Sequence, residues 1–167
     1  CRGGSTTRWP TGATRTWRAS LGERTQVVDR NVVQAKLAQL EGHIDRVRLR
    51  CPPEVSDLAR NRDACDLVAF NLMLAVQICL DVASHVIADE GWPSATTLAS
   101  AFRSLAEHAV LDQQTADALA TAAGLRNVVA HGYGGINVAL LHRAATSGLA
   151  DLRAFSHEVA AWLAKRP

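Results

Sequence analysis

Aromatic residues make up only 5% of the 167-residue chain, with one tyrosine, Tyr133, and one methionine, Met73. A core built from such a composition is aliphatic, and alanine, leucine and valine supply it. Glycine (11) and proline (5) are too few for a collagen-like or low-complexity chain. No run of about 18 apolar residues occurs without interruption, so no membrane-spanning segment is expected. The longest candidate, around Leu67 to Ile87, is broken by Asn71, Gln77, Asp81, Ser84 and His85. Four cysteines (Cys1, Cys51, Cys65, Cys79) form no Cys-x-x-Cys pair, and no histidine cluster stands at zinc-ligand spacing. Neither a disulfide framework nor a metal site is therefore expected. Cys65 and Cys79 read as buried apolar thiols, as in a protein kept reduced in the cytoplasm.

The net charge is +2, unevenly spread. Residues 1–26 hold five arginines (Arg2, Arg8, Arg15, Arg18, Arg24) against Glu23 alone, which leaves the remainder slightly acidic. A sequence pI near 8.5 thus reports on this tail. Any binding of RNA by the rest of the chain must use a local cluster of cations. The tail has no apolar periodicity and is rich in Arg, Thr, Gly and Ser, so it cannot offset its own ordering entropy and is expected to be disordered. Its composition also resembles an organellar transit peptide. Val27 is a candidate start, which makes residues 1–26 a disordered or artefactual tail and residues 27–167 the domain. Trp9 and Trp17 within the tail have the chemistry to stack on bases.

From Asp29 onward the pattern is helical. Val33, Leu37, Leu40, Ile44 and Val47 recur in steps of four and three, one stripe of a helix capped by Asp29 and stopped by Pro52 and Pro53. Ser56 to Arg60 reads as a short turn. A longer, central helix runs from about Asp63 towards Ala88, with Leu67, Phe70, Leu74, Ile78 and Val82 as its apolar positions and Leu67, Leu74, Ile78 and Val82 assigned to the core. Gly91 to Ser94 is a loop. Thr97 caps a helix through Leu98, Phe102 and Leu105, and Asp112 caps another that ends near His131 before Gly132, Gly134 and Gly135. Val138 to Leu163 gives one long helix or two, broken near Gly148. No segment alternates with period two. The expected fold is all-α, a bundle of four to six helices.

The informative stretch runs from Leu125 to Tyr133, LRNVVAHGY. Arg126 and His131 stand five residues apart, about 140° around a continuous helix. They meet on one phosphate if the helix frays at His131, or if a second subunit brings its copy across a two-fold axis. Arg-x4-His alone is a poor signal: sixteen arginines and six histidines in this length give roughly 0.6 occurrences by chance. Arg103 and His108 repeat the spacing and read as an exposed helix end. The first pair differs in its surroundings, with Asn127 beside the arginine and Tyr133 beyond the histidine in a glycine-rich turn. Asp81 and His85, four apart on the central helix, either pair with each other or line a cleft that orients His131. Asn71 and Gln77 read as a buried polar network or a partner-facing pair, and His43, His142 and His157 as surface or helix-end residues.

This stretch resembles the Arg-x4-His-x-Tyr motif of HepT-like toxins, an all-helical branch of the HEPN ribonucleases. Val27-Val28-Asp29-Arg30, the 77–85 segment QICLDVASH, Trp92-Pro93, Ala101-Phe102 and Gly132-Tyr133-Gly134-Gly135-Ile136 follow in the family's order, so the resemblance covers most of the chain except residues 1–26. It implies metal-independent RNA cleavage at a homodimer cleft, with no cofactor. The implied catalytic residues are His131 as proton carrier, Arg126 against the phosphate and Asn127 in support. It further implies that Tyr133 accepts AMP from a minimal nucleotidyltransferase antitoxin, which silences the enzyme. Against this stands a tyrosine that only packs over the helix end. The alternative reading of the whole is a non-catalytic HEPN subunit that dimerises and presents nucleotide or substrate to the nucleotidyltransferase. A plain helical dimerisation domain leaves the motif unexplained.

Overall fold

The computed structural model describes residues 29–131 and 137–166; the side chains of residues 125–131 lie outside that description. The described residues form seven helices and no strand: α1 (Arg30–Arg50), α2 (Val55–Arg60), α3 (Arg62–Asp89), α4 (Leu98–Glu107), α5 (Gln113–His131), α6 (Val138–Thr146) and α7 (Leu149–Ala164). The all-α expectation holds, and the expected four to six helices become seven. The short turn at Ser56 to Arg60 closes into α2, and the last apolar stretch divides into two. Gly148 stands at that division and lets the two helices meet closely. A Cβ there would stand 2.8 Å from the carbonyl oxygen of Ala144, too close for any side chain without backbone movement.

The local signals act as their chemistry dictates. The Asp29 carboxylate accepts from the backbone N–H of Asn31 and Val32 and starts α1. All five stripe residues of α1, Val33, Leu37, Leu40, Ile44 and Val47, are buried. Thr97 and Ser100 form a reciprocal capping box at α4. Asp112 accepts from the Thr115 N–H at 2.6 Å, while Glu158 of α7 accepts from the Asp112 N–H and the Thr115 hydroxyl, both at 2.7 Å. The start of α5 is thereby tied to α7.

Helix α3 is the axle of the bundle. It packs most closely on α1 and also touches α2, α4, α5, α6 and α7. Phe102 and Phe155, both fully buried, meet edge to face at 6.2 Å in the core. Cys65 and Cys79 are buried free thiols as expected, and burial pushes the Cys79 thiol far above its ordinary value. At one end, Arg166 lies 3.9 Å over the Trp162 ring, pairs with Glu90 and accepts from Arg30 through its carbonyl, which gathers the ends of α1, α3 and α7. The loop after α3 is held by Trp92 stacked on His108 at 3.7 Å. Arg103 and His108 are both exposed, the helix-end reading given to them.

Several expectations about α3 need correction. Leu67 is not core: it is 45% exposed, Phe70 is 54% exposed and Leu74 is half-buried. Only Ile78 and Val82 of the expected apolar positions are buried. By length and a mean hydropathy of 1.9 over 18 residues α3 also passes the composition test for crossing a membrane, contrary to expectation, yet 61% of that window is buried inside the bundle. His43 and His142 are likewise half-buried, not surface groups. His43 Nδ1 lies 2.9 Å from Asn71 Oδ1, and His142 Nε2 lies 3.0 Å from the Pro52 carbonyl oxygen. His157 is exposed.

Candidate active site

Helix α5 runs unbroken from Gln113 through His131, so Arg126, Asn127 and His131 occupy its last turns and His131 is its final residue. The side chains of these three, and Tyr133 altogether, lie outside the described residues. Ala118, Leu119 and Ala122 of α5 line one pocket with Leu72, Met73 and Val76 of α3. The capped start of α5 is fastened to Glu158 of α7, and α7 runs on from there to Arg166, which pairs with Glu90 just past the end of α3. The two helices therefore run in opposite directions. The last turns of α5 lie alongside the Leu67 and Phe70 half of α3.

Polar groups on α3 are drawn towards α1. The Asn71 side chain, 7% exposed, donates to the Leu67 carbonyl at 2.8 Å and meets His43. This is the buried network expected of Asn71. Asp81 accepts from Lys36 Nζ at 2.9 Å and from Gln77 Nε2 at 2.8 Å. Burial alone works to raise the Asp81 carboxyl, but the Lys36 and Gln77 hydrogen bonds and the lysine charge outweigh it and hold the group below the usual carboxylate range.

Asp81 and His85 do not pair. His85 Nε2 instead lies 3.1 Å from Asp89 Oδ2, one turn further along, and lacks the alignment of a hydrogen bond. The i, i+4 spacing offered both pairings, and Lys36 reaching over from α1 captured Asp81. Asp81 borders a cleft of about 330 Å³ between α3 and the start of α4, with Gln77, Ser84, Thr96 and Thr97; the His131 side chain that the expected cleft would orient lies outside the described residues. Sequence reasoning missed Lys36. The available signal was its rarity, since the chain has only two lysines, Lys36 and Lys165. Among the described residues no group of three or more His, Cys, Asp or Glu side chains gathers to hold a metal ion.

This architecture places the chain in a known class of helical proteins. A crystal structure described as a toxin–antitoxin with AMP-PNP contains a chain 22% identical, with a TM-score of 0.74 over 78% of this chain and 98% of that one. A tri-AMPylated HEPN toxin of Shewanella oneidensis, in complex with an MNT antitoxin, is 23% identical with a TM-score of 0.73 over the same shares. The cytosolic protein YutE of Bacillus subtilis, of unknown function, is 15% identical with a TM-score of 0.71, over 81% of this chain and 91% of that one. The shared fold is the HEPN-type bundle. No curated protein matches the sequence. The family model described as Ribonuclease HepT-like matches residues 40–159, and the chain belongs to the HepT-like family. The matched range contains Asp81, His85, Arg126, Asn127, His131 and Tyr133.

Proposed function

We propose that this chain is the toxin of a toxin–antitoxin pair, a metal-independent endoribonuclease acting at a homodimer cleft in the cytoplasm, carried by the 27–167 domain. The observation that carries the reading is the placement of Arg126 and His131 in the last turns of α5, inside the matched family segment. An imidazole of ordinary pKa near 6.5 exchanges protons at neutral pH. His131 takes the proton of a ribose 2′-OH, whose oxygen attacks the adjacent phosphorus. The 5′-oxygen leaves and regains a proton, giving a 2′,3′-cyclic phosphate and a free 5′-OH. Arg126 binds the phosphate oxygens as negative charge builds. Asn127 orients the histidine or the 2′-OH. On an unbroken helix Arg126 and His131 diverge by about 140°, which favours a site completed across a two-fold axis.

The proposed regulation is AMP transfer to Tyr133 by a minimal nucleotidyltransferase antitoxin. The likeness to a tri-AMPylated HEPN toxin held by its MNT antitoxin supports it. Each AMP adds negative charge beside the RNA site and repels the substrate.

Purified protein should cleave RNA in the presence of EDTA, and Arg126→Ala or His131→Ala should lose about 10²–10⁴-fold of that activity. Equal cleavage by all three proteins refutes the reading; tight binding of the antitoxin by unmodified protein that cuts no RNA favours a non-catalytic partner subunit. Incubation with the antitoxin and ATP should raise the mass by AMP units in wild type and not in Tyr133→Phe.

A further inference from the structure

A groove of about 610 Å³ separates the middle of α5 from the corner where α6 meets α7. Ala118 and Ala122 form one wall, Ala144 and Gly148 the other. Its volume lies within the range of about 300–1,000 Å³ usual for small-molecule sites. The same four residues and Asp151 also line a narrower recess of about 60 Å³, so the recess opens off the groove. It ends on Leu72, Met73, Val76, Leu119 and Leu152. Among the described residues that line the recess, Asp151 alone carries a charge.

The groove holds one charge of each sign. Arg143 of α6 and Asp151 of α7 both line it, yet neither side chain has an ion-pair or hydrogen-bond partner among the described residues. Arg153, two residues beyond Asp151, turns instead to Glu41 and Asp45 of α1, at 3.8 Å from each. The rim hydroxyls are committed to their own helices. Thr121 donates to the Asp117 carbonyl at 2.9 Å, and Ser147 to the Arg143 carbonyl at 3.0 Å. A free cation and a free anion beside one apolar recess complement a molecule with the same three parts: a carboxylate, an ammonium and an aliphatic group. Size narrows the choice. A water-sized group needs about 10–15 Å³, so a recess of about 60 Å³ takes about four to six such groups. An aliphatic side chain fits and an indole ring does not.

We propose that this groove binds a free α-amino acid with an aliphatic side chain. The side chain fills the recess. The α-carboxylate meets the Arg143 guanidinium, whose planar fork matches its two oxygens, and the α-ammonium meets Asp151. Arg143 is exposed and Asp151 half-buried, so water screens both contacts. The affinity expected is modest, a Kd of about 0.1–1 mM, within the limits that so small a molecule can reach. The site stands apart from the candidate catalytic segment, which begins one turn of α5 beyond Ala122. Its tests read binding and do not depend on RNA cleavage.

Calorimetric titration and thermal melts of the full chain should compare L-leucine with three analogues. These are 4-methylpentanoate, which lacks the ammonium, 3-methylbutylamine, which lacks the carboxylate, and glycine, which lacks the side chain. Leucine at about twenty times its Kd should raise Tm by about 4–7 °C. Each analogue should bind about tenfold more weakly or worse, having lost a charge-assisted contact or the apolar one. Arg143→Gln should leave leucine no better a ligand than 3-methylbutylamine, and Asp151→Asn no better than 4-methylpentanoate. Neither position is in the core, so circular dichroism should stay close to wild type. Wild type that binds no aliphatic amino acid overturns the proposal, as does equal binding of leucine and either single-charge analogue. An unchanged preference in either charge variant also overturns it. So does a groove that ignores leucine and takes a capped aliphatic dipeptide, the signature of a protein segment as occupant.

Discussion

Removing the Asp81 charge separates a structural role from a catalytic one. Lys36 Nζ and Asp81 Oδ2 stand 2.9 Å apart, with side chains 29% and 40% exposed. An ion pair this accessible to water is heavily screened, so its coupling should be about 0.5–1 kcal/mol. Asp81→Asn keeps an acceptor for Gln77, and its total cost should be about 1 kcal/mol, a drop in Tm of about 3–4 °C for a domain of this size. The pH dependence has a definite sign. The folded carboxyl is held below its ordinary value, so its contribution is complete above the unfolded value of about 3.9. It is lost as pH falls through the lower folded value.

The wild-type advantage over Asp81→Asn should therefore be constant from pH 7 to pH 5 and vanish on further acidification. Urea melts of wild type, Lys36→Met, Asp81→Asn and the double variant close the cycle. A coupling indistinguishable from zero at pH 7, or an advantage unchanged at pH 3, refutes the ion-pair account. The small cost in stability makes the activity readout clean. A loss of RNA cleavage beyond about tenfold in Asp81→Asn assigns the residue to the cleft; unchanged cleavage confines it to bracing α3 against α1.

Three further outcomes follow from the packing. Phe155→Ala empties a fully buried site and breaks the edge-to-face contact with Phe102, so chemical denaturation should show a loss of about 3–5 kcal/mol. Gly148→Ala forces a methyl against the Ala144 carbonyl and should cost about 1–3 kcal/mol in the same assay, with the α6–α7 junction losing amide protection. Native protein should expose Cys51 to a thiol reagent well before Cys65 and Cys79, which are buried; labelling of Cys79 without unfolding would contradict its enclosure.

The legibility of the sequence differed sharply between helices. In α1 five apolar positions form one stripe among mostly polar residues, and all five are core, while Val32 and Leu49 fall off the stripe and are exposed. The caps at Asp29, Thr97 and Asp112 were readable because their chemistry is local: a side-chain oxygen serves N–H groups two or three residues ahead. In α3 the pattern misled. That helix is apolar around most of its circumference, so choosing one stripe as the buried one had no basis in spacing, and Leu67 and Phe70 fell on the open side. The pairing of Asp81 failed for a related reason. Its partner Lys36 lies 45 residues away, and no local spacing points to it.

What the chain determines unaided is therefore local and periodic: helix starts, helix stops, the all-α class, and the Arg126, Asn127, His131, Tyr133 spacing on which its resemblance to the family was read. Tertiary structure alone decided which side of α3 faces outward, which carboxylate meets which cation, and which half of α3 the end of α5 accompanies. The physical reason is that hydrogen bonds within a helix close over three or four residues. The burial of a face, by contrast, is set by helices that return from distant parts of the chain.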